Sequence, residues 1–295
     1  MRLVFALPGN EAFAARLAQE AGAELGELET RQFPDGEHYV RLRTDPAGRQ
    51  VDMVCSLVRA DSVILTLLFA AAAARAQGAA KVTLVAPYLG YMRQDTQFKA
   101  GEAVTSATFA RLVSGAFDRL VTVDPHLHRH KALDEIYDIP CVTLHAAGLL
   151  GAWIRAEAPN ALVIGPDSES AQWAAEVATV ADAPVVVLQK QRLGDRKVRI
   201  TFPDLSAFAG RQPVLIDDIA SSGRTLAAAA RELLARGFAA PLCVVVHPVF
   251  GGDAFAEVAH VTARVVSTDA VPHETNLIAL APLVAAALKA EAGDV

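Results

Sequence analysis

Cysteine is scarce in this chain: three among 295 residues, Cys55, Cys141 and Cys243, far apart and set mostly among apolar neighbours. So few and so scattered, they exclude a disulfide framework and a cysteine zinc cluster, and they suit buried thiols in a reducing compartment. Long apolar runs are missing too. The longest, Val63 to Ala74, stops at Arg75, well short of the ~20 residues that span a bilayer. The N-terminal Leu3 to Leu7 run meets Pro8-Gly9 too soon for a secretory signal. A cytoplasmic protein with no membrane partner is expected. Positive charge is also in deficit, with 27 Lys and Arg against 33 Asp and Glu for a net charge of -6. A general nucleic-acid surface needs clustered cations to displace counterions from phosphates, so no nucleic-acid partner is expected. A small anionic substrate held by a few local cations remains compatible with that balance.

What the chain has is apolar mass, 53% of its residues against 20% charged, enough for two cores at roughly 100 to 200 residues per domain. Short β-rich runs ("RLVFAL", "VDMVCSL", "KVTLVAP", "RLVTVD") alternate with Ala-rich helical stretches from about Asn10, from about Asp61 and near Ser106 to Ser114. The second half repeats the rhythm: "ALVIGPD", a helix from about Ser168, "APVVVLQ", "QPVLIDD", a helix over Arg224 to Arg236, and "APLCVVVHP". Such alternation predicts βαβ units and mainly parallel sheets flanked by helices. Two α/β domains are expected, 1–143 and 144–295, with the boundary in "CVTLHAAG". The halves also echo each other. "TLVAPY" and "LVIGPD" both end a strand in Pro, and "VTVDPH" and "VLIDDI" both end one in Asp, which suggests a tandem duplication.

The densest chemical signal is "VLIDDIASSGRTL", Val214 to Leu226. In open α/β sheets ligands bind beyond the carboxyl ends of the strands, where Asp217 and Asp218 fall. Ser221, Ser222, Gly223, Arg224 and Thr225 follow and offer hydroxyls and close amides at a helix start, a receptor for phosphate. Carboxylates beside a phosphate cradle make sense if they bind sugar hydroxyls or a Mg²⁺ that bridges them to phosphates. The plain alternative is an acidic helix cap on a small-residue turn. "FPDGE" taken alone is a turn signal. "PYLGYMRQDTQFK" places Tyr88, Tyr91, Arg93, Gln94, Asp95 and Lys99 in a polar stretch after a strand, which suits a nucleobase and its phosphates or simply a solvated loop. "VTVDPHLHRH" puts Asp124 and His126 at a strand end; alternating His could suggest zinc, but Mg²⁺ with phosphate uses few protein ligands. His126 is taken as the functional one, with His128 and His130 solvated.

The loop from Asp217 to Thr225 resembles the phosphoribosyl diphosphate loop of the type I phosphoribosyltransferase fold, with Ser222 in place of a Thr and Arg224 in place of a Gly. In order along the chain, "FPDGE", "PYLGYMRQD", "VDPH", "GPDSES", "KQR" and "DDIASSGRT" are similar to the ribose-phosphate pyrophosphokinase family, and "FKAGEAVT" and "VVVHPVFGGDA" resemble its archaeal-type branch. Glu169 departs from the family's small residues after Asp167.

The resemblance implies two tandem type I phosphoribosyltransferase-like domains and transfer of diphosphate from ATP to ribose 5-phosphate. It implies that the loop from Asp217 to Thr225 holds the sugar phosphate and that Arg93, Gln94 and Asp95 line the ATP site. Phe33, Asp35 and Glu37 would form an adenine-binding turn given by a neighbouring subunit of a homodimer or higher homo-oligomer. His126 and Asp167 would position Mg²⁺, and Lys190 and Arg192 would be catalytic cations at the root of a mobile loop. Without the resemblance, the stretch around Lys190 reads as a basic, exposed β-hairpin. A phosphoribosyltransferase would use the same loop but only one such domain. A non-catalytic regulatory relative should have lost Lys190, Arg192, His126 and Asp217, and all are present.

Overall fold

The computed structural model describes residues 1–127, 129–166, 170–192 and 198–290, with backbone alone for 190–192 and 198–200. The chain divides into two compact units, Met1–Leu144 joined by the segment from Leu280, and His145–Ala279.

The first unit contains β1 (Arg2–Ala6), α1 (Glu11–Ala21), β2 (Glu24–Gly26), β3 (Leu28–Gln32), β4 (His38–Leu42), β5 (Gln50–Val54), α2 (Ile64–Ala76), β6 (Lys81–Ala86), α3 (Thr105–Ala116), β7 (Arg119–Val123) and β8 (Cys141–Leu144). Its sheet is parallel throughout in the order β2-β1-β5-β6-β7-β8. Strands covered on both faces need apolar side chains pointing both ways, and β7 accordingly buries all of "RLVTV". The expected helix from Asp61 begins later: a short 3₁₀ turn over Ala60–Ser62 precedes α2. Strands β3 and β4 form a separate antiparallel hairpin with Gln32 opposite His38.

The second unit contains α4 (Ala147–Glu157), β9 (Ala161–Gly165), α5 (Ala171–Ala181), β10 (Val185–Val187), β11 (Gln189–Arg192), β12 (Val198–Thr201), β13 (Gln212–Ala220), α6 (Arg224–Ala235), β14 (Leu242–Pro248), α7 (Ala254–Val261), β15 (Arg264–Thr268) and β16 (Asn276–Ile278). Its parallel sheet runs β10-β9-β13-β14-β15-β16. The antiparallel hairpin β11–β12 enters at the same point of the plan as β3–β4.

The two sheets therefore share one strand plan, as a duplication requires, but the expected echoes pair the wrong strands. By position β6 corresponds to β14 and β7 to β15, so "TLVAPY" matches "VVVHPV" and "VTVDPH" matches "VVSTDA". Main-chain bonds agree: Asp124 N–H donates to Leu144 O at 2.9 Å, and Asp269 N–H to Ile278 O at 3.0 Å. The misleading echoes arise because Pro and Asp suit the carboxyl end of many parallel strands, equivalent or not.

The chain's end is a second correction, since the segment from Leu280 belongs with the first unit rather than with 144–295. The final helix α8 (Ala281–Ala290) buries Val284, Ala285 and Leu288 and packs on α1. Arg2 fastens it: Nη2 donates to Leu288 O at 2.9 Å and Nη1 to both oxygens of the buried Asp52 at 2.8 Å. Among the described residues no helix is long and apolar enough to cross a membrane.

Candidate active-site loops

In the second unit the chemistry sits on a central strand. β13 lies between β9 and β14; Val214 to Ile216 are buried, while Asp217 and Asp218 become half-buried as the strand reaches its carboxyl end. Asp218 Oδ1 accepts the N–H of Ile219 at 2.8 Å. The chain then turns through Ser221 and Ser222 into Gly223, whose φ of 64° is left-handed, and α6 starts at Arg224. Among the described residues no side chain caps the start of this helix at Gly223. Its first amides are open to water or to an anion such as phosphate. The bend is braced from behind, because Gly251 N–H donates to Ser221 O at 3.1 Å. Ser222 and Arg224 are exposed, Ser221 and Thr225 half-buried.

Loops after two adjacent strands of the first unit carry the second group. Beyond β6, Gly90 lets the chain pass close to its neighbour, since a Cβ there would lie 2.6 Å from Leu57 O. Tyr91 has a left-handed φ of 60°, stacks on Phe109 at 4.8 Å and donates its hydroxyl to Asp61, which raises the phenol's pKa. Arg93 is exposed, Gln94 half-buried, and Gln94 O accepts Ser106 N–H at 3.3 Å. Beyond β7, the buried Asp124 takes a φ of 36° and leads through Pro125 to the half-buried His126.

Two neighbours have partners that the sequence did not indicate. His130, expected in solvent, is only 20% exposed in its side chain and pairs Nδ1 with Glu135 Oε2 at 3.0 Å. Glu135 also accepts the Lys131 N–H, and these bonds, His130 first, lower its pKa. Asp95, expected to line a nucleotide site, receives Nη1 of Arg129 on Oδ1 at 2.7 Å, a partner that spacing could not indicate because the two are 34 residues apart.

The third group is the turn of the β3–β4 hairpin. Phe33 N–H donates to Glu37 O at 2.8 Å, Gly36 N–H to Phe33 O at 2.9 Å, and Asp35 Oδ1 accepts Glu37 N–H at 3.2 Å. Gly36 supplies the left-handed φ of 90° that closes it. The Arg31 guanidinium lies 4.6 Å from the centre of the Phe33 ring and 4.2 Å from that of Tyr39, so the exposed Phe33 ring is steadied by a cation. Lys190 and Arg192 lie in β11, opposite Ile200 and Val198. Their side chains, and the whole of Asp167 and His128, lie outside the described residues.

The cysteines are as expected for core thiols. Burial pushes Cys55 up to about 12. Cys243, wholly buried, is raised further, and Cys141 reaches about 11 by burial and then by Asp134.

A parallel sheet whose central strand ends in paired acids and passes through a glycine bend into a helix defines the type I phosphoribosyltransferase class of α/β protein. A family model described as a phosphoribosyl transferase domain matches residues 132–271, and one described as the N-terminal domain of ribose phosphate pyrophosphokinase matches residues 2–116. The ribose-phosphate pyrophosphokinase of Methanopyrus kandleri is 33% identical over 290 residues, covering 97% of this chain and 98% of its own. That of Methanosarcina acetivorans is 32% identical, covering 96% and 97%. The crystal structure of phosphoribosylpyrophosphate synthetase from Mycobacterium smegmatis shares the fold at a TM-score of 0.85 and 23% identity, covering 100% of this chain and 99% of that one. This chain belongs to the ribose-phosphate pyrophosphokinase family.

Proposed function

We propose that this protein transfers the diphosphate group of ATP to the 1-hydroxyl of ribose 5-phosphate, giving 5-phosphoribosyl 1-diphosphate and AMP for nucleotide biosynthesis in the cytoplasm. The observation that carries this reading is the run from Asp217 through the left-handed Gly223 into the uncapped start of α6, in a chain that also matches the family's N-terminal domain. A phosphoribosyltransferase would have no use for that second domain.

In the reaction the ribose 1-oxygen bonds to the β-phosphorus, the bond from that phosphorus to the α,β-bridging oxygen breaks, and AMP leaves with that oxygen. The hydroxyl proton passes to solvent. Catalysis of this kind is mainly positioning and neutralisation of charge on phosphoryl oxygens. Asp217 and Asp218 orient the ribose hydroxyls, while Ser221, Ser222, Thr225 and the amides of Gly223 and Arg224 take the 5-phosphate. Arg93 and Gln94 line the ATP site. Phe33, Asp35 and Glu37 bind adenine from a neighbouring subunit of a homodimer or larger homo-oligomer. Lys190 and Arg192 neutralise the diphosphate in transit.

Mg²⁺ that arrives on the nucleotide keeps its phosphate and water ligands and needs few from the protein, and among the described residues no cluster of three or more His, Cys, Asp or Glu is placed to hold a metal. Asp167 and His126 would hold it, the imidazole through a bound water, and it would neutralise phosphate charge there. The test is to incubate the protein with ATP, Mg²⁺ and ribose 5-phosphate and separate the nucleotides. AMP formed only when the sugar phosphate is present supports the reading, and ADP as the main product rejects it.

A further inference from the structure

The loops after β6 and β7 are fastened together by one guanidinium. Arg129 donates Nη1 to Asp95 Oδ1 at 2.7 Å, and its Cζ lies 5.0 Å from the centre of the Phe98 ring. The pair is lopsided in burial: the Asp95 side chain is 3% exposed and that of Arg129 51%. A carboxylate so far out of water needs a partner held in place, because an uncompensated buried charge is costly. The Asp95 side of the clasp is itself stiff. Glu102 Oε2 accepts the N–H groups of Phe98 at 2.8 Å and Lys99 at 3.0 Å, and Gln97 Nε2 donates to Glu102 O at 2.6 Å. On the other side, Arg129 stands three residues after His126, on a segment anchored by the His130–Glu135 contact at 3.0 Å.

We infer that Arg129 is a positioning residue for the nucleotide: through Asp95 and Phe98 it fixes the loop bearing Arg93 and Gln94 relative to the loop bearing His126. The inference rests on the ATP reading of those two loops. Asp95, on this account, acts by holding Arg129 and does not touch ATP. A guanidinium used for phosphate would instead have to leave Asp95, so the two roles make opposite demands on the carboxylate.

The test uses Asp95→Asn, Arg129→Met, Arg129→Lys and the double variant Asp95→Asn/Arg129→Met in the full chain. Four quantities are measured: the Kd for Mg-ATP by calorimetry without ribose 5-phosphate, the KM of each substrate, kcat and Tm. Each neutral single variant should weaken ATP binding about tenfold, and the double variant should be no weaker than the worse single, as for two residues acting through one contact. The KM for ribose 5-phosphate should stay within about twofold, since the sugar-phosphate loop lies on other elements. Arg129→Lys, which keeps the charge but loses the planar fork, should fall between. ATP affinity unchanged or tightened in Asp95→Asn but lost in Arg129→Met would make Arg129 a phosphate ligand and overturn the proposal. A lower Tm with unchanged ATP affinity in the single variants would reduce the clasp to a stability contact and overturn it too. Wild-type protein that binds ATP yet forms no AMP rejects the proposed reaction, while the variants' affinities still decide the role of Arg129. Wild-type protein that binds no ATP rejects both.

Discussion

A Cβ built on Gly223 would lie 2.7 Å from Cγ2 of Val258 and 3.1 Å from Ala254 O, so α7 closes the space behind the phosphate loop to any side chain. The φ of 64° at the same residue disfavours one independently. Gly223→Ala should therefore cost about 1–3 kcal/mol of stability and raise the KM for ribose 5-phosphate, because relief of the clash displaces the amides that receive the 5-phosphate. Adding Val258→Ala should recover part of the Tm but not all, since it removes the 2.7 Å contact and leaves the one with Ala254 O and the backbone strain. Thermal melts and substrate titrations check this. An unchanged KM would show that the loop's shape does not depend on this glycine.

The buried thiols set an alkaline limit. Cys55 is shifted from its ordinary 9.0 up to about 12 by burial, so across that interval the unfolded chain gives up the thiol proton while the folded chain keeps it. The unfolded state then binds fewer protons, and stability falls as pH rises. The contribution is whole below about pH 9 and is lost progressively towards pH 12; Cys141 acts the same way between 9.0 and about 11. Urea melts at a series of pH values above 8 should show this decline, and Cys55→Ala should flatten it even though the variant starts from a lower stability. A slope unaffected by Cys55→Ala would assign the decline to other groups.

What sequence could reveal here was local. The end of β13 was legible because an apolar run, paired acids and a small hydroxylated turn with a glycine fall within a few consecutive residues, and the alternation of strand and helix was legible because each element carries its own pattern. The fate of the last helix was not. Nothing in "APLVAAALKA" distinguishes the sheet of one unit from that of the other; the choice lies in Arg2, which meets Leu288 O from 286 residues away. The true register of the duplication was hidden for a related reason, since Pro and Asp at a strand end mark a position in βαβ units generally rather than one particular strand. His130 looked solvated because its partner, Glu135, is reached only through the fold of the intervening loop. The partner of Asp95 was hidden in the same way, since α3 and β7 separate it in sequence from Arg129.

Lys190 and Arg192 stand in β11 at the root of the segment that returns as β12. If they act on charge that develops during diphosphate transfer, Lys190→Ala or Arg192→Ala should lower kcat by roughly 10²-fold or more while leaving the KM for ribose 5-phosphate nearly unchanged. Steady-state kinetics with each substrate varied in turn will tell. A loss confined to KM would make them binding residues.

The turn from Phe33 to Glu37 should work on the partner's ATP, and subunit mixing tests this directly. The turn is held by main-chain bonds, Phe33 N–H to Glu37 O and Gly36 N–H to Phe33 O. Replacing both Phe33 and Glu37 by Ala thus removes the side chains while keeping those bonds. Such a variant should be inactive, as should Lys190→Ala. When the two are mixed under conditions that exchange subunits, a mixed dimer pairs an intact Lys190 with an intact turn at one site and both lesions at the other. Equal amounts pairing at random make about half the dimers mixed, so about a quarter of wild-type activity should return if the interface is isologous and the sites are independent. A turn that served its own chain would leave one lesion in every site. Mixing would then restore nothing, and no recovery despite demonstrated exchange would reject the shared site.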